Sequence, residues 1–109
     1  MTEEELQTYL NSNNDQKSWH LIGAQIGDKD ARAIAEALQT NSKLTHLDLE
    51  NNDIGVDGAT EIEKALTGNT TLTTLYLPYN NIGVEGARAI AGALKETQLL
   101  QPCICETIT

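Results

Sequence analysis

Two histidines and two carboxylates occupy positions in the sequence that a metal site or an acid–base catalyst could use. His20 and His46 fall on neighbouring predicted strands, and Asp48 and Glu50 follow His46 at alternate positions. Imidazole and carboxylate groups bind zinc and related metals, and they also transfer protons in catalysis. Both chemistries need groups that orient the side chains and exclude water, which solvent-facing positions on an open sheet do not supply. We therefore expect no metal, no cofactor and no catalytic residue, so the chain is predicted not to be an enzyme.

An acidic segment and a cysteine pair are the other groups that could hold a metal. Residues 48–53 mix acids and asparagines as calcium loops do, but Leu49 is needed in the core, and the glycine and terminal glutamate of such loops are missing. Cys103 and Cys105 are two residues apart and have no second pair elsewhere in the sequence. We interpret them as free thiols that face the core and act as small hydrophobic side chains.

The dominant pattern of the chain is a repeat of 28 residues. Five positions of one segment return in the next: Leu44, Leu47, Leu49, Asn52 and Ile54 as Leu72, Leu75, Leu77, Asn80 and Ile82. A repeat of this length is one supersecondary unit that buries its apolar face by stacking on its neighbours. The chain is predicted to be a single domain, 1–109, of about four helix-then-strand units. Residues 1–15 would form an N-terminal capping helix half-unit, and residues 100–109 a C-terminal strand half-unit.

Each unit changes its hydrophobic period from that of a strand to that of a helix. Leu47 and Leu49 alternate with polar residues, which predicts a strand with these two leucines facing the core. Ala59, Ile62 and Leu66 then follow at the spacing of one helix face. The same 28-residue offset places Cys103 and Cys105 opposite Leu75 and Leu77. The Thr2-x-x-Glu5 pattern predicts a capping box at the first helix.

The segments Leu44–Ile54 and Leu72–Ile82 read Leu-x-x-Leu-x-Leu-x-x-Asn-x-Ile, which resembles the leucine-rich repeat. The 28-residue spacing with a full helix is similar to the ribonuclease-inhibitor-like class of that family. The resemblance implies an α/β fold, a right-handed horseshoe with parallel strands on the concave side and helices on the convex side. It also implies that Asn52 and Asn80 support the loops that leave the strands. Ala24 replaces this asparagine in the first unit, so we expect a looser loop there, and Trp19 replaces a strand leucine as an end-cap side chain.

The charge of the chain limits its partners. The formal net charge is −9, and the seven basic residues are scattered rather than clustered along a stripe. A phosphate backbone or an anionic membrane requires such a stripe, so we expect neither nucleic acid nor membrane as a ligand. No apolar run approaches the roughly 18 residues of a membrane span, and the acidic start is unlike a signal peptide. A cytoplasmic location is the expectation.

The concave face follows from the register of the predicted strands. Its residues, together with those of the adjoining loops, are the candidate partner-binding site: His20, His46, Asp48, Glu50, Thr74, Tyr76, Pro78 and Tyr79. With strands about 4.8 Å apart, the sheet is only about 14 Å across, enough for a loop or a helix edge of another protein. The acids and the two tyrosines favour a polar or basic protein partner.

Three functions fit this fold. The leading hypothesis is a small protein–protein interaction module that binds through the concave face and adjacent loops. A GTPase-activating-type regulator is the second, because the family that the chain resembles includes Ran GTPase-activating proteins beside ribonuclease inhibitors, innate-immune sensors and tropomodulins. A structural or self-assembling repeat protein is the third, because the first and last strands leave edges unpaired. We expect a protein that is mostly monomeric and can associate through its edge strands.

Overall fold

The computed structural model describes residues 1–69, 71–77, 79–96 and 104–105. Helices and strands alternate along the chain, beginning with a helix. The helices are α1 (Glu3–Ser12), α2 (Asp28–Thr40), α3 (Val56–Gly68) and α4 (Gly83–Glu96), and the strands are β1 (Ser18–His20), β2 (His46–Asp48), β3 (Thr74–Tyr76) and β4 (Ile104–Cys105). The capping box at α1 is present, because Glu5 N–H donates to Thr2 Oγ1 at 3.1 Å and Thr2 N–H donates to Glu5 Oε1 at 2.8 Å.

The strands form one parallel sheet in the order β1-β2-β3-β4. Trp19 pairs with Leu47, and Leu47 pairs with Leu75, which is the register that the 28-residue repeat predicts. Parallel neighbours need a crossover connection, and α2 and α3 supply it between successive strands. The sheet therefore forms one layer and the helices the other.

The core lies between these two layers. Leu47, Leu49, Leu75 and Leu77 are at most 1% exposed, as the period-2 pattern predicted. Each such leucine contributes about 1.5–3 kcal/mol by burial. Leu6 and Leu10 of α1 belong to the same core, so the first helix covers its N-terminal end.

Trp19 closes the core beside α1. The side chain is 1% exposed, and its Nε1 donates a hydrogen bond to the backbone oxygen of Asn13 at 2.8 Å. A buried indole needs such an acceptor, because an unpaired N–H would lose its hydration without compensation. The predicted role of Trp19 as an end-cap side chain is confirmed.

The loop asparagines support two units at once. Asn52 Oδ1 accepts hydrogen bonds from the backbone N–H groups of Ala24 and Ile26, at 3.0 and 2.9 Å. Its Nδ2 donates to Leu21 O at 2.8 Å and to Leu49 O at 2.9 Å. The expectation that the first loop lacks an asparagine's support is therefore wrong, because the amide reaches back from the following unit. Asn80 does the same for the second unit through Ile54 N–H, at 3.0 Å.

The last strand is one residue out of the predicted register. Leu75 pairs with Ile104 and Tyr76 with Cys105, so the equivalent positions are 29 residues apart here. The prediction of Cys103 opposite Leu75 and of Cys105 opposite Leu77 is wrong. One additional residue between β3 and β4 accounts for the difference, and in a strand a shift of one residue exchanges the two faces of the sheet. Cys103 itself lies outside the described residues.

Candidate functional site

The candidate site lies on the solvent side of the sheet, which we call the sheet face. It consists of the outward residues of β1, β2 and β3 in two rows across the strands: Ser18, His46 and Thr74, then His20, Asp48 and Tyr76. These residues are exposed or half-buried while their strand neighbours Trp19, Leu47 and Leu75 are buried. The alternation arises because successive strand residues point to opposite faces. The sheet thus brings His20, Asp48 and Tyr76 side by side.

Asp48 stands at the centre of the second row. Its Oδ1 accepts a hydrogen bond from the backbone N–H of Glu50 at 3.0 Å, which fixes the carboxylate at the end of β2. Glu50 is half-buried two residues further on, where the chain leaves the sheet. The two carboxylates therefore occupy the same end of the face, where the parallel strands lead into their loops.

His46 stands at the other end of β2. The ring is exposed, and its Nδ1 lies 2.9 Å from Thr45 Oγ1. Thr74 of β3 is half-buried beside it. These groups make a polar surface of hydrogen-bond donors and acceptors rather than an enclosed pocket.

Tyr79 continues the site into the loop between β3 and α4. Its side chain is 59% exposed, and that of Tyr76, at the end of β3, is 37% exposed. Two aromatic side chains with polar tips at one edge of a surface are typical of protein interfaces. Pro78, which was also predicted to belong to the site, lies outside the described residues.

The charges of the sheet face are not neutralised by ion pairs among the described residues. In the part of the chain that the structure describes, the ion pairs join Lys29 to Glu3, Arg32 to Glu61 and Lys64 to Glu61, all on helices. Asp48 and Glu50 have no ion pair there. The carboxylates of the sheet face remain available to cations from outside the protein, whereas several cations of the helix side already have acidic neighbours.

Grooves on the helix side are the other concave features. One lies between the C-terminal ends of α1 and α2 and is lined mostly by polar side chains such as Asn11, Asn14 and Glu36. A second, between the starts of α2 and α3, contains Arg32 and Glu61, which approach to 4.0 Å. Neither groove contains the predicted site residues.

The described residues set limits on the chemistry of the site. Over residues 1–69, 71–77, 79–96 and 104–105, no group of three His, Cys, Asp or Glu side chains is placed to hold a metal ion. None of the helices as described is long and apolar enough to cross a membrane. What the arrangement can do is present hydrogen bonds, negative charge and aromatic rings on a rigid sheet.

Sequence reasoning missed the exposed apolar residues that border the site. Val56 and Val84, at the starts of α3 and α4, are 41% and 63% exposed. Val56 and Val84 are one repeat apart, where the first unit has Asp28. This recurrence of valine at a helix start was the signal in the sequence that could have identified them.

Comparison with known proteins gives the class of these repeats. Residues 40–62 and 68–91 match a family model described as "Leucine Rich repeat". Among solved structures, the chain is similar to "Leiomodin-1 Actin-Binding Site 2 (ABS2)" with a TM-score of 0.67 and 24% sequence identity, over 97% of this chain and 80% of that one. A comparison of the sequence with curated proteins gave no match. The two matched segments therefore fit the leucine-rich repeat pattern, and the predicted α/β horseshoe is confirmed as the fold.

Proposed function

We propose that the protein is a small interaction module that binds a polar or basic segment of another protein. The site comprises the sheet face and the adjoining loops: His20, His46, Asp48, Glu50, Thr74, Tyr76, Pro78 and Tyr79. The observation that carries the proposal is the pair of carboxylates, Asp48 and Glu50, which have no ion pair in the described part of the chain and stand near the exposed ring of Tyr76.

The charges and aromatic rings of the sheet face are complementary to such a segment. Unpaired carboxylates attract a cationic partner and steer its approach, while tyrosine rings supply apolar contact area with little loss of side-chain entropy. The strands that carry them are fixed by the leucine core beneath, so little conformational freedom is lost on binding. We propose no catalytic activity, cofactor, nucleic acid or membrane for this site.

The repeat class and the location of the protein are proposed from the sequence pattern. We propose that the chain acts as one repeat domain of the ribonuclease-inhibitor-like class, because its units are 28 residues long and contain full helices. A cytoplasmic location is part of the same proposal.

Actin is the first defined partner to test, because the leiomodin-1 structure is named as an actin-binding site. The similarity between the leiomodin-1 structure and this chain is a similarity of fold. Monomeric actin is therefore a probe for the proposed module, to be used beside an unbiased capture from cell extract.

The test is a capture experiment with two matched double variants. Asp48→Ala with Tyr76→Ala removes the centre of the sheet face, and Arg32→Ala with Arg88→Ala removes exposed cations of α2 and α4. We expect the first variant to lose partner capture and the second to retain it, while both keep the circular dichroism spectrum of the natural protein. Loss of capture in the helix variant alone would place the site on the convex side and overturn the proposal.

Self-association through the first strand is the second candidate function. Tyr9 argues against it, because its hydroxyl accepts a hydrogen bond from the His20 backbone N–H at 3.1 Å and so occupies a donor at the outer edge of β1. We propose a protein that is mostly monomeric, with any association occurring at the other end of the sheet. Light scattering across a concentration series tests this proposal, and a constant dimer mass would contradict it.

A further inference from the structure

Three loop residues with positive φ form a row across the strand-to-helix loops. Gly23, Asn51 and Tyr79 have φ values of +59°, +60° and +61° and are one repeat apart. Backbone hydrogen bonds hold these loops alongside one another: Gly23 N–H to Glu50 O at 3.0 Å and Asn81 N–H to Ile54 O at 2.9 Å. The row is therefore a property of the repeat, since each of the three described loops uses the left-handed conformation at the same place.

Tyrosine is the exception in this row. Glycine has no Cβ to clash in the left-handed region, and asparagine is several-fold enriched there, whereas a bulky residue is an outlier. The repeat thus requires a conformation that Tyr79 adopts only at a cost in stability.

The fold gains little from the Tyr79 ring in return. The side chain is 59% exposed, and within the described residues its hydroxyl makes no hydrogen bond. Backbone strain that does not improve the packing of the core is a feature of binding sites. There it holds a side chain in the position that recognition requires.

The surroundings of Tyr79 indicate the chemistry of its ligand. Among the described residues, the exposed large apolar side chains lie at one end of the molecule. This is the end where strands lead into helices and where α1 begins, and the side chains are Met1, Ile22, Val56, Tyr76, Tyr79 and Val84. Acids are interspersed with them at Glu50, Asp53, Asp57 and Glu85, and in the described part of the chain none of these four has an ion pair. An apolar surface with unpaired carboxylates is complementary to a segment that is both apolar and cationic.

We propose that Tyr79 is the anchor that selects this partner: a peptide segment with an arginine or lysine next to an apolar side chain. The cation packs on the face of the phenol ring while the neighbouring carboxylates balance its charge, and the apolar side chain covers the exposed aliphatic groups. This inference rests on the proposed function and adds to it the specificity-determining residue and the class of ligand.

Stability measurements test the strain without any ligand. Tyr79→Asn places at this position the residue that the second unit uses. The Tm of the variant should therefore equal that of the natural protein or exceed it by up to about 5 °C. Tyr79→Phe keeps both the ring and the strain and should melt with the natural protein. A Tyr79→Asn variant that melts several degrees earlier would show that the ring supports the fold, and it would overturn the proposal.

Binding is tested with a random peptide library displayed on phage and selected against the natural protein. The selected peptides should be enriched in arginine or lysine next to apolar residues. A synthetic peptide of that sequence should bind Tyr79→Asn at least tenfold more weakly than it binds the natural protein. Its affinity for Tyr79→Phe should be within threefold of its affinity for the natural protein. Peptides without basic residues, equal affinity for Tyr79→Asn, or no selected peptide at all would overturn the proposal.

The same peptide separates this inference from the proposed function. If Asp48→Ala with Tyr76→Ala abolishes binding while Tyr79→Asn does not, the sheet face binds but Tyr79 is not the anchor. If neither variant weakens binding, both proposals are wrong.

Discussion

The side-chain oxygen of Asn52 lies 2.9 Å from the backbone nitrogen of Ile26, so an asparagine of one repeat holds the loop of the repeat before it. Asn52 is 8% exposed, and its hydrogen bonds to Ile26 N–H, Leu21 O and Leu49 O are buried. A buried amide that loses its partner costs about 1–3 kcal/mol for each unsatisfied group. The asparagines therefore couple successive units in the way that the stability of a repeat protein requires.

Replacing Asn52 with alanine should lower the free energy of unfolding by about 3 kcal/mol or more, because Ala24 N–H, Ile26 N–H and three backbone carbonyls lose their partner. Urea unfolding measures the loss. Asn81→Ala is the matched control, since that side chain is exposed and should change stability by less than about 0.5 kcal/mol. Equal unfolding midpoints for the two variants would contradict the coupling.

The leucine ladder under the sheet should determine the stability of the fold. Leu77→Ala should cost about 2–5 kcal/mol, because a fully buried side chain leaves a cavity. Glu50→Ala should cost little, since that side chain lies on the solvent side. Thermal melts of both variants check the register, and comparable Tm values would count against it.

Close packing of α3 against α2 leaves little room for a side chain at Gly58. A Cβ at this position would lie 2.7 Å from Asp28 Oδ1 and 2.9 Å from Ile54 Cγ2. Gly58→Ala should therefore destabilise the protein by about 1–3 kcal/mol.

Gly92 in α4 is the control for Gly58. A Cβ there meets nothing within 4 Å in the part of the chain that the structure describes, so Gly92→Ala should stabilise the protein by up to about 1 kcal/mol through helix propensity. Chemical denaturation of both variants should give shifts of opposite sign. A stabilising effect of Gly58→Ala would show that α2 and α3 are farther apart than described.

The 28-residue repeat predicted the sheet correctly through three strands, because every unit from β1 to β3 has the same length. It failed at Ile104, where one additional residue separates β4 from β3. At the 28-residue offset Cys103 and Cys105 fall on the core positions of the strand, so the sequence held no signal against the wrong register.

The candidate site was predicted by strand alternation alone, and its finer features depend on tertiary structure. The reach of Asn52 into the preceding unit could not be predicted, because the direction of a side chain between units depends on how they stack. The cap that Asp28 provides to Gly58 N–H, at 3.1 Å in the next unit, was missed for the same reason. The conformation of Tyr79 did have a signal, since Gly23 and Asn51 occupy the same place in the repeat.

The capping box of α1 should make stability depend on pH. Hydrogen bonds from the Thr2 backbone and side chain lower the pKa of Glu5 from its ordinary value of 4.5. The ionised carboxylate therefore contributes stability above pH 4.5, and that contribution is lost as the pH falls through the lower pKa of the folded state. Melting the natural protein and Glu5→Gln between pH 7 and pH 3 should give a difference in Tm that shrinks on acidification. A difference that grows on acidification would contradict the capping geometry.

Site-specific photo-crosslinking tests most directly whether the sheet face, rather than the helices, contacts a protein partner. A photo-crosslinking amino acid in place of Tyr76 probes the sheet face, and the same amino acid in place of Arg32 probes α2. Irradiation in the source cell should give a covalent adduct from position 76 and none from position 32. Adducts from position 32 alone, or from neither position, would contradict the account.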